Sequence, residues 1–313
     1  MTVLLWGLPD EPPIHLVATE LRARDADVVL VDSRAAAHDT IDLRLYPGAA
    51  GADIGGVLRT RDRTIEIAQV TGVYLRPVEP ELFPGLGPAE LARARRFCDA
   101  LAGFTELTGS SGRCRVANRL LAMGSNISKP YQAQLITRHG FTTPATLISS
   151  DPAEVLAFAG RRGRLVYKSI SGIRSIVTAF DPAADTERLE RLRWCPVQFQ
   201  EHLDGPDVRV HVIGDRVFAT EITTTAVDYR YARQGGATAS LSAHDLDPEI
   251  AARCVALAAA LQLPFAGIDL KLVPDGRVAC FEVNPSPGFT WFEHETGQPI
   301  AATLAAWLTG SPP

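Results

Sequence analysis

Apolar positions follow two rhythms along the chain. In the first third, the short apolar runs Val3-Leu4-Leu5-Trp6 and Val28-Val29-Leu30-Val31 flank a helical spacing over 13–24. Strands that read as continuous apolar runs around a helix predict βαβ order and a parallel sheet. Val73-Tyr74-Leu75-Arg76-Pro77 predicts another strand stopped by proline, 78–87 a Pro/Gly-rich loop and 88–107 a long helix, with a boundary at Ser110-Ser111-Gly112.

From Asn118 onward the pattern changes. Lys129-Pro130 opens a helix that closes at Gly140, with proline in the first turn and glycine past the end. Strands are expected at 146–148 and 165–169, with a short helix from Asp151-Pro152 between them. Two hairpins follow, 208–213 with 216–224 across Gly214-Asp215, and 266–273 with 277–283 across Pro274-Asp275-Gly276. Helices are expected over 248–261 and 299–308. The reading is an α/β (α+β) chain in three parts, 1–117, 118–196 and 197–313.

Composition removes several function classes. The 313 residues carry 31 Lys+Arg against 36 Asp+Glu, a net charge of −5, so no basic field points to nucleic acid or an anionic membrane. No stretch of eighteen apolar residues predicts a membrane span. The opening MTVLLWG has no basic leader, so export is not expected. Five scattered cysteines without a CxxC read as reduced thiols in a cytoplasmic protein and argue against zinc. Gly7-Leu8-Pro9-Asp10 is not a dinucleotide-binding GxGxxG.

The last hairpin carries the chemistry. Ile268, Leu270 and Leu272 share one strand face and Asp269 and Lys271 the other. If Asp275-Gly276 forms a two-residue loop, Asp269 lies opposite Glu282, with Asn284 on the same face. A type I turn with Gly276 as a bulge shifts that register by one, and two solvated acids are the plain alternative. Paired carboxylates plus an amide oxygen suit Mg²⁺ shared with nucleotide phosphates. Lys129 starts a helix, where anions are favoured, and Lys168 ends an apolar strand ahead of Ser171 and Gly172, whose small size lets backbone amides approach phosphate. Strand 197–203 could offer backbone groups to adenine, with Asp207 for ribose and Arg209 for phosphate.

These residues resemble the ATP-grasp ligases, in particular the RimK-like branch, with some similarity to microviridin-type peptide ligases. The most specific segment is Phe281-Glu282-Val283-Asn284-Pro285-Ser286-Pro287-Gly288, similar to the E-x-N-x-x-P-G metal segment. The resemblance spans about 118–308 and implies an ATP-grasp fold behind a pre-ATP-grasp α/β domain. It implies ATP and Mg²⁺ (two ions, with Mn²⁺ as an alternative) held by Asp269, Glu282 and Asn284. Lys129, Lys168, Ser171 and Gly172 would serve the phosphates, Gln200, Glu201 and Leu203 the adenine hinge, and Asp207 the ribose. Arg209 and Lys168 would oppose phosphoryl charge. Arg230, in Asp228-Tyr229-Arg230 ahead of Gly235-Gly236, resembles the D-F-R-x-N…G-G segment, although Ala232 replaces its asparagine. The phosphate lid is reduced to 169–175. Arg76, Ser286 and Gly288 are the expected substrate contacts.

The implied activity is ATP-dependent joining of a carboxylate to an amine through an acylphosphate, releasing ADP and phosphate. Substrates would be small-molecule or peptide carboxylates and amines, with no nucleic acid or membrane partner and a homodimer as the default assembly. A ligase closing amides or esters on a ribosomal precursor peptide is the second reading. A non-catalytic ATP-binding regulatory protein is the third. His202 and His211 could line the site or be ordinary partly buried imidazoles, and His294 could lie near the acceptor.

Overall fold

A computed structural model describes residues 1–48, 51–170, 176–226, 228–231, 236 and 238–311. The N-terminal part runs β1 (Thr2–Gly7), α1 (Pro12–Ala23), β2 (Asp27–Asp32), β3 (Thr40–Gly48), β4 (Gly51–Arg59), β5 (Thr64–Glu66), β6 (Val70–Leu75), α2 (Pro88–Ser110) and β7 (Arg115–Ala117). Four of these strands make a sheet of order β2-β1-β6-β7, paired in parallel throughout. β1 is buried along its whole length, as a strand covered on both faces must be. Ile14, Val17 and Leu21 of α1 pack on one face, and Phe97, Leu101 and Phe104 of α2 on the other. The small antiparallel sheet β3-β4-β5 has no counterpart among the expected elements.

Next come α3 (Leu120–Met123), α4 (Lys129–Arg138), β8 (Thr146–Ser149), α5 (Pro152–Arg162), β9 (Leu165–Ser169), β10 (Thr178–Phe180), α6 (Thr186–Arg191) and β11 (Val197–Glu201). Their sheet has the order β10-β9-β11-β8 and is antiparallel. One face rests on its own core of Val155, Phe158, Leu165, Leu189, Leu192 and Phe199. By strand alternation, Lys168, Gln198 and Gln200 lie on the other face.

The last part contains β12 (Asp207–Ile213), β13 (Arg216–Thr224), β14 (Ala239–His244), α7 (Pro248–Ala260), β15 (Phe265–Leu272), β16 (Val278–Asn284), α8 (Thr290–Thr296) and α9 (Ile300–Thr309). Its sheet has the order β14-β13-β12-β15-β16. Helices α8 and α9 pack with α1 and β1, joining this part to the N-terminal sheet through one core. Among the described residues, no helix is long and apolar enough to cross a membrane.

Two expected boundaries shift. β11 pairs with β8 and β9, so the strand at 197–201 belongs to the middle sheet, not to the third part. Helix α4, expected in the middle part, contributes Ile136 to the core beneath β15 and β16. Thr142 continues that attachment, its N–H donating to Val278 O and its carbonyl accepting from Cys280 N–H. The physical reason is that periodicity identifies an apolar face but not the element that will cover it.

Two buried amides hold the last hairpin in place. Gln132 on α4 donates from Nε2 to Val283 O (2.8 Å) and accepts from Val283 N–H at Oε1 (2.9 Å), as a neighbouring strand would. Asn118 Nδ2 donates to the carbonyls of Phe265 and Pro285, and its Oδ1 accepts from Phe265 N–H. Val283 lies between two expected metal ligands, so Gln132 fixes both. Gln132→Leu keeps the volume but strands two buried backbone groups. It should lower stability by about 2–5 kcal/mol, read as a shifted urea midpoint at constant slope.

Candidate active site

Asp269 and Glu282 do face each other across β15 and β16, but by a route unlike the simple two-residue loop. The turn is a three-residue loop closed by Val273 N–H to Arg277 O and Gly276 N–H to Val273 O, with Gly276 at φ 88°. That pairs Leu272 with Val278 and Leu270 with Cys280. A bulge at Phe281 then restores the register, bringing Glu282 opposite Asp269 and Asn284 opposite Gly267. Two one-residue shifts cancel.

Positive groups surround these acids. Lys129 Nζ donates to Glu282 Oε2 (2.9 Å) and to Asn126 Oδ1 (2.6 Å). Lys168 Nζ approaches the same Glu282 oxygen at 3.9 Å. Burial alone would push the Glu282 carboxyl up; Lys129, Lys168 and Arg209 more than reverse that, leaving its pKa at about 2. Arg209 Nη1 donates to Asp269 Oδ1 at 2.6 Å, with the arginine side chain 6% exposed. Despite burial, Asp269 holds the Arg209 pKa above its ordinary value.

Gly267 makes this packing possible: a Cβ there would meet Arg209 Cζ and Pro287 Cβ at 2.7 Å. Arg209 Nε is buried without a partner. Asn284 Oδ1 accepts from Ser286 N–H (2.9 Å), which turns the chain into 285–288.

The rest of the β12 face extends the cluster. Asp207 pairs with Lys271 (3.0 Å), and burial still raises its carboxyl above the ordinary range. His211 is fully buried, with Nε2 3.3 Å from Gly288 O. Burial and Arg209 push its pKa well down, so the ring is neutral. This makes His211 a support for the 285–288 turn.

Most of the other expected residues have definite positions. Gln200 is buried on β11 and donates to Thr146 Oγ1 (3.0 Å), while Glu201 N–H donates to Ala145 O (2.9 Å). Leu203 is buried just beyond that strand. Arg76, after β6, donates to Glu11 Oε1, Ser286 Oγ and Pro287 O, so the N-terminal sheet grips the segment after Asn284. His202 lies beside Arg164 and Asp204, and His294 is exposed on α8. Ser171 and Gly172 lie outside the described residues, as do Arg174, Ala232 and Gly235. Arg230 falls in a 3-10 turn, Tyr229–Tyr231, and its side chain is likewise outside the description. Sequence reasoning did not find Asn118, Gln132 or Glu11; a buried amide leaves no periodic signal of its own.

The donor set fits a hard cation that brings further oxygens with it. Asp269, Glu282 and Asn284 offer oxygen ligands in one place, but among the described residues no group of three His, Cys, Asp or Glu side chains could complete a metal site. Phosphate oxygens would supply the remainder, and three cations already stand where such anions would be neutralised.

Comparison with known proteins agrees with this geometry. Over 199 residues the chain is 31% identical to a probable alpha-L-glutamate ligase of Cellvibrio japonicus, covering 60% of this chain and 65% of that one. Over 202 residues it is 29% identical to the ribosomal protein bS6–L-glutamate ligase of Escherichia coli, covering 61% and 66%. The chain thus spans less than two thirds of the length of these relatives.

Among solved structures, the ATP-grasp ligase PsnB complexed with minimal precursor superimposes with a TM-score of 0.75 at 28% identity, covering 98% of both chains. The macrocyclase MdnC of Microcystis aeruginosa, bound with precursor peptide MdnA, has a TM-score of 0.78 over 99% of this chain and 100% of its own; at 23% identity it speaks for the fold alone. Residues 128–308 match the RimK-like ATP-grasp domain, and the chain belongs to that family.

Proposed function

We propose that the protein is an ATP-dependent, ADP-forming ligase that joins a carboxylate to an amine. The observation that carries this reading is the cluster in which Lys129, Lys168 and Arg209 surround Asp269 and Glu282. Carboxylate activation by phosphoryl transfer needs positioning and charge neutralisation more than a covalent protein group. Mg²⁺, when bound with ATP, would draw charge from the transferring phosphoryl group. Asp269, Glu282 and Asn284 would hold it, Lys129 and Lys168 would steady the phosphates, and Arg209 would oppose charge at the reacting end. Asp207 would take ribose hydroxyls. The Glu201 carbonyl and Leu203 backbone would face the adenine edge. The activated acid would be an acylphosphate.

A peptide is the favoured substrate class. PsnB, solved with a minimal precursor, superimposes over 98% of this chain at 28% identity, and the ribosomal protein bS6–L-glutamate ligase, a relative by sequence, is named for a protein substrate. A purely regulatory ATP-binding role is disfavoured by retention of both Asp269 and Glu282, since nucleotide binding alone tolerates loss of one.

The direct test incubates the protein with ATP, Mg²⁺, hydroxylamine and a panel containing L-glutamate and acidic peptides. ADP and hydroxamate are expected. Their absence across the panel would overturn the ligase reading.

Glu282→Gln removes charge at almost constant volume, so turnover should fall at least a hundredfold while the circular dichroism spectrum is retained. Near-normal turnover would refute the metal assignment. Lys168→Met should weaken ATP binding about tenfold or more in calorimetry, as expected when a partly desolvated charge-assisted contact of ~1.5–3 kcal/mol is lost.

A further inference from the structure

The order β2-β1-β6-β7 places β1 beside β6, and their helices leave to opposite faces of the sheet, α1 to one and α2 to the other. In open parallel sheets such a switch point opens a crevice beyond the carboxyl ends of the strands, where ligands bind. Glu11 stands on the segment leaving β1, and Arg76 on the segment leaving β6.

Arg76 is already committed within the protein. Nε and Nη2 donate to Glu11 Oε1 (2.9 and 2.6 Å), and Nη1 donates to Ser286 Oγ (2.9 Å) and Pro287 O (3.2 Å). Its side chain is 14% exposed, so little of the guanidinium remains for a substrate carboxylate. Glu11 differs. Both contacts fall on Oε1, and among the described residues Oε2 accepts no hydrogen bond. The side chain is 28% exposed, and although Glu11 is the N-cap residue of α1 it makes no capping bond. One oxygen is anchored by Arg76, and the other keeps its lone pairs unused on a partly exposed side chain. Ser286, joined to Arg76, lies two residues from Asn284 and donates to it, which brings this carboxylate to the edge of the expected metal segment.

We propose that Glu11, oriented by Arg76 at the switch point of the N-terminal sheet, binds the ammonium group of the amine acceptor. The inference rests on the ligase reading and names its acceptor class. An aliphatic amine such as a lysine side chain is cationic at neutral pH, with a pKa of ~10.4. A carboxylate oxygen with unused lone pairs gives it a charge-assisted hydrogen bond. A neutral hydroxyl can also donate to this oxygen but brings no opposite charge, so the site favours an amine acceptor, and amide over ester formation. Asp269 and Glu282 cannot take this role while Arg209 and the lysines hold them.

The test compares two neutral-backbone probes, Nα-acetyl-lysine amide and Nα-acetyl-norleucine amide, binding to the full chain loaded with Mg²⁺ and a nonhydrolysable ATP analogue, followed by NMR titration. The lysine probe should bind at least tenfold more tightly than the norleucine probe. Glu11→Gln should reduce that preference to below twofold, and Glu11→Asp, which keeps the charge, should retain part of it. A merely structural Glu11 predicts the opposite order, because the shorter aspartate reaches Arg76 less well than glutamine. Equal binding of the two probes to the wild type, no binding of the lysine probe, or an undiminished preference in Glu11→Gln would overturn the proposal. The ligase reading is judged separately by ADP release with hydroxylamine, so absence of a Glu11-dependent preference with ADP release intact overturns this proposal alone.

Discussion

The active end of the molecule depends on compensating Glu282. Partial burial of this carboxylate disfavours its charged form, and two ammonium groups and a guanidinium more than offset that here. The arrangement is also unfinished. Three cations share two carboxylates, so Lys129, Lys168, Asp269, Glu282 and Arg209 together carry an excess of one positive charge. That excess favours an anion, and a polyphosphate that brings its own divalent cation satisfies cations and carboxylates together.

The two lysines come from different bodies. Lys129 opens a helix whose Ile136 packs in the same core as Val283, so its distance to Glu282 is fixed by shared packing. Lys168 stands on a sheet with a separate core, Phe158, Leu165 and Phe199 among its members. Its longer approach of 3.9 Å therefore spans two independently packed units. Independent cores permit relative displacement at little cost in packing.

Much of this was legible from the chain, but not always for the stated reason. Alternation in 267–272 and 281–284 identifies the face bearing Asp269 and Glu282, because a half-buried strand must separate its apolar and polar residues. The simple loop gave the correct pairing only because a bulge at Phe281 offsets the longer turn. Bulges answer to tertiary fit and leave no periodic mark. The same limit explains β11: Val197-Gln198-Phe199-Gln200 alternates plainly, yet alternation does not say that its partners are β8 and β9. Gln132 and Asn118 were invisible because a glutamine in an amphipathic helix looks solvent-facing until a strand edge is placed against it.

The link from Arg76 to Ser286 gives the N-terminal sheet a role beyond scaffolding. Were the segment after Glu282 held only by β15 and β16, the turn at 285–288 could adjust without consequence for the first third of the chain. Instead, His211 lies against the Gly288 carbonyl from β12, Asn118 binds the Pro285 carbonyl, and Arg76 reaches Ser286 and Pro287. Three separate elements thus fix one short turn, each through a side chain that is largely or wholly buried. Such over-determination is what keeps a polar turn in one geometry. It also ties the segments leaving β1 and β6 to the same wall as the carboxylates, so the Glu11–Arg76 pair is held in fixed relation to Asp269 and Glu282.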